Sequence, residues 1–183
     1  YLSNKNVGTA KVVICGKGVY TNSLTKTFTI RPETMASAVI TGCKAKYSYT
    51  GKQVKPLIQV VWNGKILRNN TDYTLLYKNN KKRGSAGIVV TGKGNYSSTL
   101  TASFTIVRAS VKKASVTGLK AVYARTGKAV KPKVTVKLGG KKLKKKRDYI
   151  LSYRKNKKKG TALLYVKGVG NYSGTKKMKF KIR

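Results

Sequence analysis

The chain has 183 residues, of which 42 are lysine or arginine and only three are aspartate or glutamate, and it contains no histidine. A formal charge of +39 points to an anionic partner, and the shortage of acids and histidines excludes most acid–base catalysis, so we expect no enzyme. Apolar residues make up 40% of the chain, which predicts packed cores, and no apolar run is long enough to insert into a membrane.

The chain repeats itself. The stretch GKGVYTNSLTKTFTI at residues 16–30 has near-copies at 92–106 and 168–182, and both shifts are 76 residues without insertion or deletion. A constant spacing of this kind indicates tandem copies of one structural unit.

The repeat divides the chain into three segments. Residues 1–31 are predicted to be the C-terminal part of a preceding repeat, followed by complete repeats at 32–107 and 108–183, the last strongly basic. The first segment supplies only about three strands, too few to close a sandwich, so we expect it to pair with another segment or chain. We also expect the whole to be the C-terminal end of a longer secreted protein.

Within each complete repeat, apolar and polar residues alternate, which predicts strands and not helices. The expected inward residues of the last copy are Val134, Val136, Leu138, Tyr149, Leu151, Tyr153, Ala162, Leu164, Val166, Phe180 and Ile182. Turns rich in glycine and asparagine separate about six or seven short strands per repeat. This pattern is typical of an all-β fold built from small antiparallel β-sandwiches.

Several motifs carry a family resemblance. YTGKQVKP, NGKILRNNTDYTLLYKNN and GSAGIVVTGKGNYSSTLTASFTI resemble a bacterial immunoglobulin-like repeat that occurs in tandem on large surface proteins of Gram-positive gut bacteria. The last repeat matches with YARTGKAVKP and GVGNYSGTKKMKFKI, although Lys155 replaces Asn79. The resemblance implies tandem immunoglobulin-like sandwiches on an extracellular bacterial cell surface, with a role as spacer, adhesive module or cell-envelope attachment.

Positive charge increases along the chain, with net charges of +5, +9 and +25 for the three segments. The predicted polyanion-binding residues lie in turns of the last repeat: Lys141, Lys142, Lys144, Lys145, Lys146, Arg147, Lys155, Lys157, Lys158 and Lys159. Such dispersed lysines suit diffuse electrostatic binding of a teichoic-acid-like envelope polymer. The alternatives are adhesion to sulfated or sialylated host glycans or extracellular nucleic acid, a spacer for an upstream enzyme or adhesin domain, or a merely soluble surface.

The acids Asp72 and Asp148 each come immediately before a strand of the pattern Tyr-x-Leu-x-Tyr. We expect them to accept backbone N–H bonds from their own turns, with promotion of a Lys–Asn isopeptide crosslink as the alternative. No metal site or cofactor is expected.

Three aromatic residues are candidates either for the core or for stacking on a ligand. Tyr96 and Tyr172 are expected to cap the core and bond backbone across a corner, as an alternative to stacking on sugars or bases. Trp62 aligns with Leu138, which favours a core position for the indole.

Cys15 and Cys43 are the only cysteines, too few for a disulfide scaffold. A single bridge that fixes the junction between the first two segments and two free thiols both remain open.

Overall fold

The computed structural model describes residues 1–183 and is all-β, with one short 3₁₀ helix, η1 (Val111–Lys113). By Cα packing the chain forms two compact units. The first unit comprises Tyr1–Ala45, Lys55–Asn80 and Ser85–Phe104. The second unit comprises Lys46–Val54, Lys81–Gly84 and Thr105–Arg183. The predicted repeat boundaries at 32–107 and 108–183 stay a prediction.

Residues 1–31 form an antiparallel hairpin of two strands, β1 (Gly8–Cys15) and β2 (Ser23–Ile30). Nine strands follow up to residue 107: β3 (Glu33–Thr34), β4 (Val39–Thr41), β5 (Lys46–Ser48), β6 (Gln59–Trp62), β7 (Lys65–Leu67), β8 (Tyr73–Lys78), β9 (Gly84–Gly92), β10 (Tyr96–Ser97) and β11 (Thr99–Val107). The last nine strands each begin 76 residues after a counterpart: β12 (Ala109–Ser110), β13 (Ser115–Thr117), β14 (Val122–Tyr123), β15 (Thr135–Leu138), β16 (Lys141–Lys142), β17 (Tyr149–Arg154), β18 (Gly160–Gly168), β19 (Tyr172–Ser173) and β20 (Thr175–Ile182).

The strands form small sheets of matching order. The four-stranded sheets run β5-β11-β9-β8 and β14-β20-β18-β17, and the three-stranded sheets run β4-β6-β7 and β13-β15-β16. The pairs β3–β10, β5–β11, β12–β19 and β14–β20 are parallel and only two or three residues long. These short pairings, which alternation alone does not reveal, explain why nine strands occur where six or seven were expected.

The core of the second unit lies on the inner face of the sheet β14-β20-β18-β17. Ala162, Leu164 and Val166 of β18 are fully buried, as expected from the alternation, and Ala162 is paired with buried Phe180 of β20. Because side chains alternate across a strand, the intervening positions of β18 and β20 form the opposite face of this sheet.

The N-terminal hairpin exposes apolar side chains. Ile14 is 57% and Phe28 40% exposed, whereas the residues 76 positions later, Val90 and Phe104, are 0% and 2% exposed. Within the first unit the hairpin is anchored through Asn95, whose side-chain oxygen accepts a bond from the Val7 N–H at 2.8 Å. The hairpin therefore exposes part of a core-type face, although Ala10 on that face is fully buried.

Candidate polyanion-binding surface

The ten basic residues predicted to bind a polyanion form two groups at opposite ends of β17, and not all of them lie in turns as the sequence predicted. The first group, called the first basic turn, is strand β16 together with the turn that leads to β17, and it holds Lys141, Lys142, Lys144, Lys145, Lys146 and Arg147. The second basic turn holds Lys155, Lys157, Lys158 and Lys159. All ten side chains are exposed. The six residues of β17 separate the turns by roughly 20 Å, so the structure does not gather the ten charges into one pocket.

The first basic turn is held by its backbone and by one buried apolar residue. Leu143 is 3% exposed, and its N–H donates to the carbonyl oxygen of Val136 at 2.9 Å. Lys146 has a left-handed backbone with φ of 72°, and its N–H donates to the Tyr149 carbonyl at 2.7 Å. Burial of Leu143 leaves the flanking lysines in solvent.

Asp148 stabilises this turn from within. Its Oδ2 accepts the backbone N–H of Lys144 at 2.8 Å, and its two oxygens accept Nε and Nη2 of Arg147, both at 2.9 Å. The hydrogen bonds from Arg147 lower the pKa of the Asp148 carboxyl, helped by the Lys144 N–H and opposed by burial. Arg147 therefore differs from the other nine residues, because its guanidinium already neutralises a carboxylate.

Asp72 has a matching place in the first unit. Its Oδ2 accepts the backbone N–H of Arg68 at 2.8 Å, four residues earlier, and its own N–H donates to the Arg68 carbonyl. Thr71 stands where the second unit has Arg147, so the bidentate arginine is particular to the basic repeat. Crosslinking promoted by either aspartate stays a prediction.

The second basic turn is fixed by Asn156. Its side-chain Nδ2 donates to the Val130 carbonyl at 2.9 Å, while the Val130 N–H donates to the Asn156 carbonyl at 2.7 Å. Lys155, just before it, has a left-handed backbone with φ of 54°. Residues 155–161 line a shallow open depression, which suits a polymer segment better than an enclosed small molecule.

Tyr49 and Tyr172 form an aromatic pair beside the first basic turn. Their rings meet edge to face with centroids 5.8 Å apart, and the Lys141 Nζ lies 5.9 Å from the Tyr49 centroid. Tyr172 is only 3% exposed, so its ring is a core group and not a stacking platform. Sequence reasoning missed Tyr49, because its counterpart in the next repeat is Arg125.

Tyr96 and Trp62 differ from their expected roles. The Tyr96 hydroxyl accepts a hydrogen bond from the Lys65 ammonium at 2.9 Å, so its partner is a side chain and not the backbone. Trp62 is half-buried and not a fully buried core residue, with its ring edge to face against Tyr96 at 5.5 Å. Trp62 is the last residue of β6.

The two cysteines are free thiols in the structure, so the bridge that the sequence left open is not formed here. Cys15 is exposed at the end of β1. Cys43 is half-buried, its Sγ lies 3.8 Å from the Lys44 carbonyl oxygen, and burial raises the pKa of its thiol.

Comparisons with known proteins supply no assignment for these surfaces. No protein-family model, curated protein or solved structure matches the chain. The structure has no helix with the length and apolar character needed to cross a membrane. It also has no group of three or more histidine, cysteine or acidic residues placed to hold a metal ion.

Proposed function

We propose that the chain is a non-catalytic attachment module of an extracellular bacterial surface protein, in which the basic second unit holds an anionic cell-envelope polymer of the teichoic-acid type. The motif resemblance to immunoglobulin-like repeats of Gram-positive surface proteins supports the location. The charge and its exposure support the partner. The first unit then serves as a stalk.

One observation carries the proposal. All ten side chains of the two basic turns are exposed, whereas the single acid of residues 108–183, Asp148, is 4% exposed and engaged by Arg147. The other nine residues, all lysines, form no ion pair within the chain. A net charge of +25 on 76 residues far exceeds the magnitude of about 2–8 that keeps a small domain soluble.

The two-turn geometry favours a long polymer over a discrete ligand. One flexible polymer can contact charges roughly 20 Å apart at opposite ends of β17, and it releases its counterions at many points along its length. Lysine gives affinity in this way without the bidentate geometry by which arginine selects a particular anion. Host sulfated or sialylated glycans and extracellular nucleic acid are competing partners, and the experiment below separates them.

The exposed hairpin supports a second proposal, that residues 1–31 are completed by strands from another segment or chain. The required segment has the alternating apolar pattern of residues 32–76, since those residues complete the repeat of which 77–107 correspond to 1–31. A peptide of that pattern added to the protein is expected to protect the amide hydrogens of β1 and β2 from exchange. Unchanged exchange at saturating peptide contradicts this pairing.

The attachment role is tested by co-sedimentation with purified cell walls, before and after chemical removal of their anionic polymer, across a salt series. Retention is expected to require the polymer and to fall steeply with salt. Heparin and DNA are the competitors, and the matched variant carries glutamine at all ten basic-turn positions. Retention by that variant, or by polymer-free walls, contradicts the proposal, and preferential loss to heparin or DNA favours the host-polyanion alternative.

A further inference from the structure

The outer face of the sheet β14-β20-β18-β17 carries a second set of lysines that the two basic turns do not include. Lys177, Lys179 and Lys181 are exposed on β20, while Met178 and Phe180 between them point to the core. Residues two apart on a strand share a face and lie about 6.8 Å from each other. The three ammonium groups therefore form a straight row on a rigid element.

An aromatic and apolar row runs alongside the lysines. Tyr165 of β18 is paired with Lys177, and Leu163 is paired with Lys179. Both side chains are half-buried on the outer face, and the Arg154 guanidinium carbon lies 5.7 Å from the centroid of the Tyr165 ring. The face thus places a ring and an aliphatic side chain within one strand spacing of a line of cations.

The fold does not require this composition. At the corresponding positions of the preceding repeat the three lysines are Thr101, Ser103 and Thr105, and the tyrosine is Val89. The residues between them stay apolar, since Phe104 and Phe180 are both 2% exposed. Three like charges in a row also repel one another, so the row opposes stability while the neutral residues of the earlier copy do not.

We propose that this outer face binds an anionic polysaccharide, whose sugar rings pack on Tyr165 and Leu163 while its carboxylate, sulfate or phosphate groups pair with Lys177, Lys179 and Lys181. This inference rests on the proposed function and deepens it, because it makes the polymer one that contains sugar rings. The basic turns concentrate the polymer, and the sheet face fixes its orientation.

The face favours a polysaccharide over single-stranded nucleic acid. Sequence-tolerant nucleic-acid surfaces stack successive bases on several aromatic side chains, and Tyr165 is the only aromatic residue among the outward positions of β17, β18 and β20. One tyrosine beside Leu163 offers a single amphipathic platform, which suits the apolar face of one sugar ring and its flanking hydroxyls. Lysine in place of arginine in the row likewise provides charge without base-reading geometry.

The test compares two triple variants that remove the same charge. Lys177→Thr/Lys179→Ser/Lys181→Thr introduces the residues of the earlier repeat on the sheet face. Lys145→Asn/Lys146→Asn/Lys155→Asn does the same in the basic turns. Tyr165→Val removes the ring without a change in charge, and Tyr165→Phe keeps it. Binding is measured by calorimetry and salt titration with polygalacturonate, ring-free inorganic polyphosphate and oligo-deoxythymidylate, and circular dichroism verifies folding.

We expect Tyr165→Val to weaken polygalacturonate binding by at least about five-fold, the low end for one stacked ring, while polyphosphate binding is unchanged and Tyr165→Phe binds normally. The sheet triple should weaken polygalacturonate binding more than the turn triple does. Equal losses for the two triples with a silent Tyr165→Val overturn the sheet-face proposal and leave the attachment role standing. Wild-type protein that binds none of the polyanions at low salt contradicts both, and a Tyr165→Val loss confined to oligo-deoxythymidylate assigns the face to nucleic acid instead.

Discussion

The hydroxyl of Tyr153 donates a hydrogen bond of 2.7 Å to the carbonyl oxygen of Pro132. The same bond occurs 76 residues earlier, where Tyr77 donates to Pro56 at 2.8 Å. In both places the last tyrosine of a Tyr-x-Leu-x-Tyr strand ties that strand to the proline segment that leads into the middle strand of the three-stranded sheet, β6 or β15. A proline nitrogen cannot donate, so the carbonyl provides the hydrogen-bonding group for this tie.

Tyr153→Phe is expected to lower the free energy of unfolding by about 1 kcal/mol, the usual net value of one buried hydrogen bond, because Pro132 loses its donor while the ring still packs. Urea denaturation, monitored by circular dichroism of the backbone, measures the change. Tyr77→Phe is the parallel variant and should give a similar loss. A Tyr153→Phe protein as stable as the wild type would show that this hydrogen bond does not contribute to stability.

Lys146→Asn and Lys155→Asn are each expected to raise the free energy of unfolding by up to about 1 kcal/mol, because asparagine tolerates the left-handed backbone better than lysine. The preceding repeat has Asn70 and Asn79 there, with φ of 67° and 53°. Lys145→Asn is the matched control, since it removes the same charge where φ is not positive. Equal stabilisation by all three variants would mean that only charge repulsion matters.

Asp148→Asn is expected to lower the free energy of unfolding by about 1–3 kcal/mol near neutral pH. The reason is that the buried carboxylate accepts hydrogen bonds from Arg147 and from the Lys144 N–H, and an amide replaces it poorly. The bonds from Arg147 hold the carboxyl pKa below its ordinary 3.8 in the folded state. The stabilisation is therefore present above the ordinary pKa and lost as pH falls through the lowered folded value. Stability measured from pH 7 to pH 2 should show the wild-type and variant curves converging in acid.

Arg147→Thr, which introduces the residue of the preceding repeat, is the control for that experiment. It removes the largest cause of the lowered pKa and leaves the Lys144 N–H bond in place. Its curve should lie between the other two and should stop falling at a higher pH than the wild-type curve, because its folded pKa is lowered less. A gap between wild type and Asp148→Asn that stays constant down to pH 2 is incompatible with this linkage.

The two thiols should react with maleimide at different rates. Cys15 is exposed, whereas burial raises the pKa of Cys43 and reduces its thiolate fraction near pH 8. Mass spectrometry of a labelling time course should show one rapid addition at Cys15 followed by a slower one. In Cys43→Ser only the rapid addition should remain, and labelling of Cys43 first would contradict the burial argument.

The melting temperature of the wild-type protein should rise as sodium chloride is added, because salt screens repulsion among the lysines of the second unit. Differential scanning calorimetry from low salt to about 0.5 M covers the range over which the Debye length shrinks most. The variant with glutamine at all ten basic-turn positions should start higher and change less. A melting temperature that falls with salt would show that the charges are not mutually repulsive.

Much of the fold follows from local alternation. Ala162, Leu164 and Val166 were predicted inward and are buried, because the pleat assigns successive side chains to opposite faces whatever the strand pairs with. The short parallel pairs, such as Ala109 with Tyr172, were not predicted. Two or three residues give no periodic signal, and their partners lie about 60 positions away in the chain.

The candidate site was predictable to a similar depth. Turn composition was enough to expect exposed lysines, but the diversion of Arg147 to Asp148 depends on turn geometry that charge counting does not describe. The row of lysines on the sheet face is visible in the sequence, because lysine occupies every second position from Lys177 to Lys181. Its neighbour Tyr165 could be found only from the register between β18 and β20.

The additional lysines of the last repeat stand at turn and outward positions, while the inward residues of the two repeats remain apolar. The affinity of such a module for its partner is therefore adjustable by substitution alone, without rebuilding its interior. A designer could exchange the outer residues of successive copies and obtain a graded set of adhesives on one scaffold, from nearly inert to strongly retained.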